Sequence, residues 1–134
     1  MKKIKGILIT PNQKDTKPRV YELEVNSYKD YYPLLECDTF DIQSRNFNGK
    51  YLDIYCDDEG LSKEDNQIAI VTMSEGKIVE QFVGNVFITN HNDEGDTISL
   101  TEDEIKSILS TIRVLVTTSA NGDAKQQIVC VVEW

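Results

Sequence analysis

Four carboxylates crowd one short stretch of the chain. Asp53, Asp57, Asp58 and Glu59 sit in and just after the alternating segment Tyr51-Leu52-Asp53-Ile54-Tyr55-Cys56. Carboxylate oxygens converging on one point are what Mg²⁺ or Ca²⁺ requires. The spacing is not the Asp-x-Asn-x-Asp-Gly of a calcium loop. Asp53 and Asp57 share a side only if the strand runs on straight. A solvated turn accounts for the same residues, and no metal ligand is assigned. A second acidic turn, His91-Asn92-Asp93-Glu94-Gly95-Asp96, holds the only histidine. Any imidazole general base must therefore be His91, although a lone histidine in a polar loop is usually just solvated. A thiol nucleophile would need Cys37, Cys56 or Cys130 beside it. Cys56 and Cys130 lie in apolar, strand-like contexts that suit inert core thiols. Glycine-rich phosphate loops, nucleophile elbows and histidine-rich zinc motifs are missing from the sequence. No catalytic residue and no cofactor is expected. The candidate functional residues are instead an acidic interaction surface of Asp53, Asp57, Asp58, Glu59, Asp93, Glu94 and Asp96.

Charge sharpens that expectation. The 134 residues carry a net charge of −9, unevenly spread. Lys2, Lys3, Lys5, Lys14, Lys17 and Arg19 oppose only Asp15 in the first 19 positions, and the remainder is strongly acidic. Such a surface repels nucleic acid, so direct nucleic-acid binding is disfavoured and a protein partner is expected. The basic cluster reads as the solvated flank of an edge strand, where lysines oppose aggregation. Three cysteines without a close-spaced pair fit reduced thiols, and one histidine argues against zinc. No apolar run reaches the roughly 18 residues of a membrane span. Met1-Lys2-Lys3-Ile4-Lys5-Gly6 reads as the start of a strand, not as a signal peptide, so the cytosol is the expected compartment.

The elements that must position these groups follow from periodicity. Ile4–Thr10 and Val20–Val25 read as strands, the second with Tyr21, Leu23 and Val25 on one face, joined by a loop over Pro11–Asp15. Asn26 or Ser27 caps a short or kinked helix with Tyr28, Tyr31, Tyr32 and Leu35 on one side and Pro33 inside it. Thr39–Gln43 and Tyr51–Cys56 are antiparallel strands about an Asn46–Gly49 turn. Leu61–Asn66 is a polar loop, and Ile68–Val71 a central strand. Ile78–Thr89 is strand-like, with a bulge or break at Gly84. Thr101 and Glu104 form a capping box before the stripe Ile105, Ile108, Leu109 and Ile112. Val114–Thr118 and Ile128–Val132 close a C-terminal β-hairpin about Asn121-Gly122-Asp123. The pattern predicts one α+β domain over residues 1–134, largely antiparallel, with two short helices.

The stretch Lys50–Gly60, its echo Gly84-Asn85-Val86-Phe87-Ile88-Thr89, and the capped helix that follows resemble a family of small proteins carried by phages, plasmids and conjugative elements. That family is catalogued only as a domain of unknown function. The resemblance covers about residues 20–110 and leaves the hairpin of residues 113–134 as an appendage. It implies a mobile-element setting, in which proteins often serve conjugation, replication control or counter-defence, and it fixes no chemistry. Three functional readings remain. The favoured one is a non-catalytic acidic protein that binds a host- or element-encoded partner, in its sharpest form a mimic of DNA. The second is a small-molecule or nucleotide-binding module built on the tyrosines, with Arg45, Lys50 and Arg113 to hold an anion. The third is a metal-dependent hydrolase using Asp53, Asp57, Asp58 and His91.

Overall fold

A computed structural model describes residues 2–11, 17–60, 63, 67–118 and 120–134. Most of the expected loops over Pro11–Asp15 and Leu61–Asn66 lies outside the described residues. Ten strands form one mixed sheet in the order β2-β1-β7-β4-β3-β10-β5-β6, with β8 on β7 and β9 on β10. The strands are β1 (Lys2–Ile9), β2 (Arg19–Val25), β3 (Phe40–Phe47), β4 (Lys50–Asp57), β5 (Ile68–Ser74), β6 (Lys77–Val83), β7 (Val86–His91), β8 (Thr97–Ile98), β9 (Ile112–Thr118) and β10 (Ala124–Glu133). The helices are α1 (Tyr31–Leu35), entered through a 3₁₀ turn at Tyr28–Asp30, and α2 (Glu102–Leu109). The expected α+β class is overturned: the fold is mainly β. The helices are too short to form a layer, and each only covers part of one face of the sheet.

Alternation along the strands sorts the apolar residues onto these two faces. Under α2 lie Ile7, Ile9, Leu52, Ile54, Val86 and Ile88, with Ile105 and Ile108 of the helix pressed onto them. Under α1 lie Ile4, Leu8, Tyr55 and Phe87, with Tyr31 and Leu35 against them and Tyr21, Leu23 and Val25 at the side. Leu109 is exposed, and Ile112 belongs to β9, so the expected four-residue stripe ends at Ile108. The reason lies at Ser110 and Thr111, whose amides bond back to Lys106 and Ile108 and stop the helix.

Local signals explain the ends of the elements. Ser27 caps the 3₁₀ turn, and Asp30 accepts from the Asn26 and Ser27 amides at 2.6 and 3.0 Å. Those two bonds hold the exposed Asp30 carboxyl below its ordinary range. Thr101 accepts from the Glu104 amide, and Glu104 accepts from the Thr101 amide, as the capping box predicts. The second carboxylate oxygen of Glu104 takes Asn90 of β7 at 2.6 Å, so the cap also fastens α2 to the sheet. The β3–β4 turn is only Asn48-Gly49, with φ of 55° and 102°. Positive φ at both positions suits the twist of a two-residue hairpin. Asn46 and Phe47 belong to β3, which extends well past the expected end at Gln43. Gly84, at φ 79°, divides the expected Ile78–Thr89 strand into β6 and β7.

β10 holds the sheet together. Its first part pairs with β9 from Ala124↔Thr118 to Cys130↔Ile112. Its last part lies parallel to β5, Cys130↔Ile70 to Glu133↔Met73, and touches β3 at Glu133↔Asn46. Arg45 of β3 reinforces this seam. It forms a bidentate ion pair with Glu80 of β6, with bonds of 2.8–3.0 Å, and its guanidinium lies 4.9 Å from the Trp134 ring. Among the described residues no helix is long and apolar enough to cross a membrane.

Candidate functional site

The face under α1 carries a row of polar side chains and a cleft. Asp53 (β4) pairs with Ser44 on β3 and with Thr89 on β7, so three strands bring three polar side chains into one row. His91, two residues beyond Thr89, leans diagonally over Asp53, a reach that long side chains make across adjacent strands. The imidazole Nδ1 is 2.7 Å from Asp53 Oδ2, and Ser44 Oγ donates to Asp53 Oδ1 at 2.7 Å. Asp53 exposes 9% of its side chain and His91 51%. The carboxylate is thus withdrawn from solvent and the ring is presented to it. In the neutral tautomer that directs Nδ1–H at the carboxylate, Nε2 is the nitrogen that carries the lone pair. The Thr89 hydroxyl, fully buried and directly opposite Asp53, has no hydrogen-bond partner among the described residues.

A cleft of about 280 Å³ opens on the same face. Tyr31, Tyr55, Phe40 and Ile42 line it, Tyr28 stands at its side, and Lys2, Asp96 and Thr97 belong to its lining. Tyr31 stacks on Tyr55 with ring centroids 4.4 Å apart. Burial, followed by the neighbouring Tyr55, pushes the Tyr31 phenol well above its ordinary range. The Tyr55 hydroxyl lies 2.6 Å from the Thr97 hydroxyl, and the Lys2 ammonium donates to the Thr97 carbonyl at 2.6 Å. Thr97 is also the cross-strand partner of His91. Thr97 and Tyr55 therefore form a wall shared by the cleft and the Asp53–His91 pair.

The acids singled out in the sequence do not form one surface. Asp57 is buried, paired with the Lys63 ammonium and accepting from the Glu59 amide at 2.9 Å. That ion pair raises the affinity of Lys63 for its proton. Asp53 and Asp57 are four strand residues apart, about 13 Å, and point to different partners. Asp58, Glu59, Asp93, Glu94 and Asp96 are exposed. β4 and β7 run antiparallel, so the turn after Asp57 and the turn over 92–96 leave opposite ends of the strand pair. At about 3.3 Å per residue they are about 25 Å apart. No group of three or more metal-ligating side chains occurs among the described residues. Of the basic cluster, Lys2, Lys3 and Lys5 lie in β1, which is interior to the sheet, and Arg19 begins the edge strand β2.

The cysteines remain free thiols. Burial first, and then nearby carboxylates such as Asp57, pushes the Cys37 thiol up to about 11. Burial followed by Asp41 carries Cys56 to about 12, and burial carries Cys130 to about 11. A thiol that resists ionisation in the folded state stabilises that state only while the unfolded thiol is also neutral. Stability is therefore expected to be unaffected by these groups below pH 9. It should fall between pH 9 and 12, as a series of urea midpoints would show. The same thiols should alkylate slowly with iodoacetamide at pH 7.5 and faster after unfolding.

Residues 4–113 match the sequence signature of a domain of unknown function, DUF3846. The chain belongs to this family. The DUF3846 region takes in β1, which the resemblance over residues 20–110 left out, and runs to the start of β9. It includes every residue of the Asp53–His91 row and of the aromatic cleft except Lys2. No curated protein and no solved structure matches the chain.

The sequence named Asp53 and His91 separately and linked them only through a metal. Ser44 and Thr89 were missed. The signal that could have found them is parity: residues 87, 89 and 91 share the face of 53 and 55 once β4 and β7 are neighbours.

Proposed function

We propose that the protein binds a small organic ligand in the cleft under α1. The observation that carries this reading is the composition of the cleft: aromatic and aliphatic walls with a few polar groups gathered on one side. Ligand sites are typically concave, mostly apolar and equipped with a few placed polar groups. Tyr31 and Tyr55 are held by packing and by the Thr97 bond, so their rings are set before a ligand arrives. Thermal-shift screening of aromatic compounds and nucleosides tests the reading. A hit should lose about tenfold or more in affinity in Tyr28→Ala or Ile42→Glu. Both side chains are exposed, so both variants should melt close to the wild type. A screen with no stabilising compound would count against the cleft as a binding site.

A second reading, a non-catalytic acidic protein that docks a host- or element-encoded partner, is favoured by one observation. Asn92 accepts from the Glu94 and Asp96 amides and shapes a turn that carries three exposed acids, Asp93, Glu94 and Asp96. A complex made there should weaken steeply with salt. Mimicry of a DNA backbone needs a longer stripe than one turn, and the separation of the two acidic turns weighs against it. In either reading we place the protein in the cytosol of a cell that carries a mobile element.

A further inference from the structure

We infer that His91, oriented by Asp53, is a general base that hydrolyses a carboxylic ester whose aromatic or apolar part occupies the adjacent cleft. This rests on the ligand-binding reading for where the substrate sits, and on independent geometry for the chemistry. A base needs a nitrogen free to accept, a partner that fixes the ring, and a rigid mount. The His91 side chain is half exposed, its Nδ1 is 2.7 Å from the withdrawn Asp53 carboxylate, which leaves Nε2 as the nitrogen to accept a proton, and Asp53 is itself fixed by Ser44. All three strands involved are regular members of the sheet. An isolated surface ion pair would not require a carboxylate more than nine-tenths buried, nor a second hydroxyl to fix it. The buried Thr89 hydroxyl opposite Asp53 adds a donor that no protein group uses among the described residues.

The substrate class follows from the charges around the ring. Asp93, Glu94 and Asp96 are in the turn that follows His91, and Asp96 also lines the cleft. They oppose a phosphoester or any other anionic substrate and accept a neutral or cationic one. Aromatic walls select a ring-bearing group and also tolerate a cation. Among the described residues Lys2 is the only cation that lines the cleft, and its ammonium is fixed on the Thr97 carbonyl. Thr97 is the cross-strand partner of His91, so this positive charge lies on the His91 side of the cleft, where it can favour a developing oxyanion.

The step balances with water as the only co-reactant. His91 Nε2 takes a proton from water as the water oxygen bonds to the acyl carbon. The tetrahedral intermediate then breaks its bond to the alcohol oxygen, and the imidazolium returns the proton to that leaving group. One ester and one water give one acid and one alcohol.

Hydrolysis of phenylalanine ethyl ester, with p-nitrophenyl phosphate as the anionic control, tests the inference. The wild type should exceed His91→Gln by about 100-fold or more in kcat, the usual size of a general-base contribution. Asp53 acts through His91 as a positioning residue. Asp53→Asn should lower kcat with KM unchanged, which a merely loosened fold would not do. Neither protein should hydrolyse the phosphate ester. Equal ester rates in the wild type and His91→Gln would overturn the inference. Phenylalaninol, which cannot be hydrolysed, separates the two proposals. Saturable phenylalaninol binding without His91-dependent hydrolysis overturns the base and leaves the cleft. His91-dependent hydrolysis without saturable binding upholds the base and overturns the cleft.

Discussion

Deletion of residues 114–134 is expected to abolish the cooperative fold, although the deleted piece lies outside the DUF3846 match. Val129, Cys130 and Val132 are each no more than 1% exposed. Loss of a buried aliphatic side chain costs about 2–5 kcal/mol. Several such losses together rival the whole stability of a domain, about 5–15 kcal/mol. Among the described residues the deletion also removes the only strand that joins β5 and β6 to the rest of the sheet path. The bare side of β5, with Ile70 and Val71, would then be open to pairing with other chains. Far-UV circular dichroism with a urea titration, beside size-exclusion chromatography, reads the outcome. A monomeric fragment with a sharp transition would show that the family-matched segment stands alone.

Phe87→Ala should be the most damaging single substitution under α1, costing about 3–5 kcal/mol. The ring is fully buried and meets Tyr21 edge-on at 6.2 Å and Tyr31 at 6.5 Å. Gly6 explains why it fits. A methyl group at Gly6 would fall 2.6 Å from the Phe87 ring and 2.5 Å from the Ile88 carbonyl oxygen. Gly6→Ala alone should therefore cost about 1–3 kcal/mol through overpacking. In the Phe87→Ala background the clash with the ring is relieved and the clash with the carbonyl stays. The added cost of Gly6→Ala should drop there without vanishing. Urea midpoints of the four proteins give the coupling. Strict additivity would mean that the ring does not depend on the space at Gly6.

Much of the local structure was legible because its causes are local. The capping box at Thr101, the Asn48-Gly49 turn and the alternation of Tyr21, Leu23 and Val25 each act within a few residues. The errors arose where distant partners decide. By sequence the strand ends at Gln43 and Asn46 begins the turn, with Ser44 and Arg45 in no element, yet Ser44 bonds Asp53, Arg45 bonds Glu80, and all three residues belong to β3. Ile112 fits a helical stripe by spacing, but its pairing with Cys130 makes it a strand residue. The class was misjudged for the same reason. Two clear helix signals stand out in the sequence, and nothing near residue 130 announces a parallel neighbour near residue 70. The site shows the same limit. Asp53 and His91 could each be singled out from the sequence, while their meeting depends on β4 lying beside β7. The acidic turns look like one feature in composition and are separated by the antiparallel direction of those strands.

The parallel pairing of β5 with β10 also sets a clock. Cys130 meets Ile70 across sixty positions of chain, whereas β3 finds β4, and β5 finds β6, through two-residue turns. Closing a short hairpin takes microseconds, and contacts between distant segments slow folding by orders of magnitude. The hairpins therefore form first, and β5 and β6 wait as a separate piece until β10 arrives between β5 and β3. During that interval the protein is most open to chaperones, proteases and other copies of itself. A mutation in β10 would thus alter how fast the molecule matures as well as how stable it is once mature.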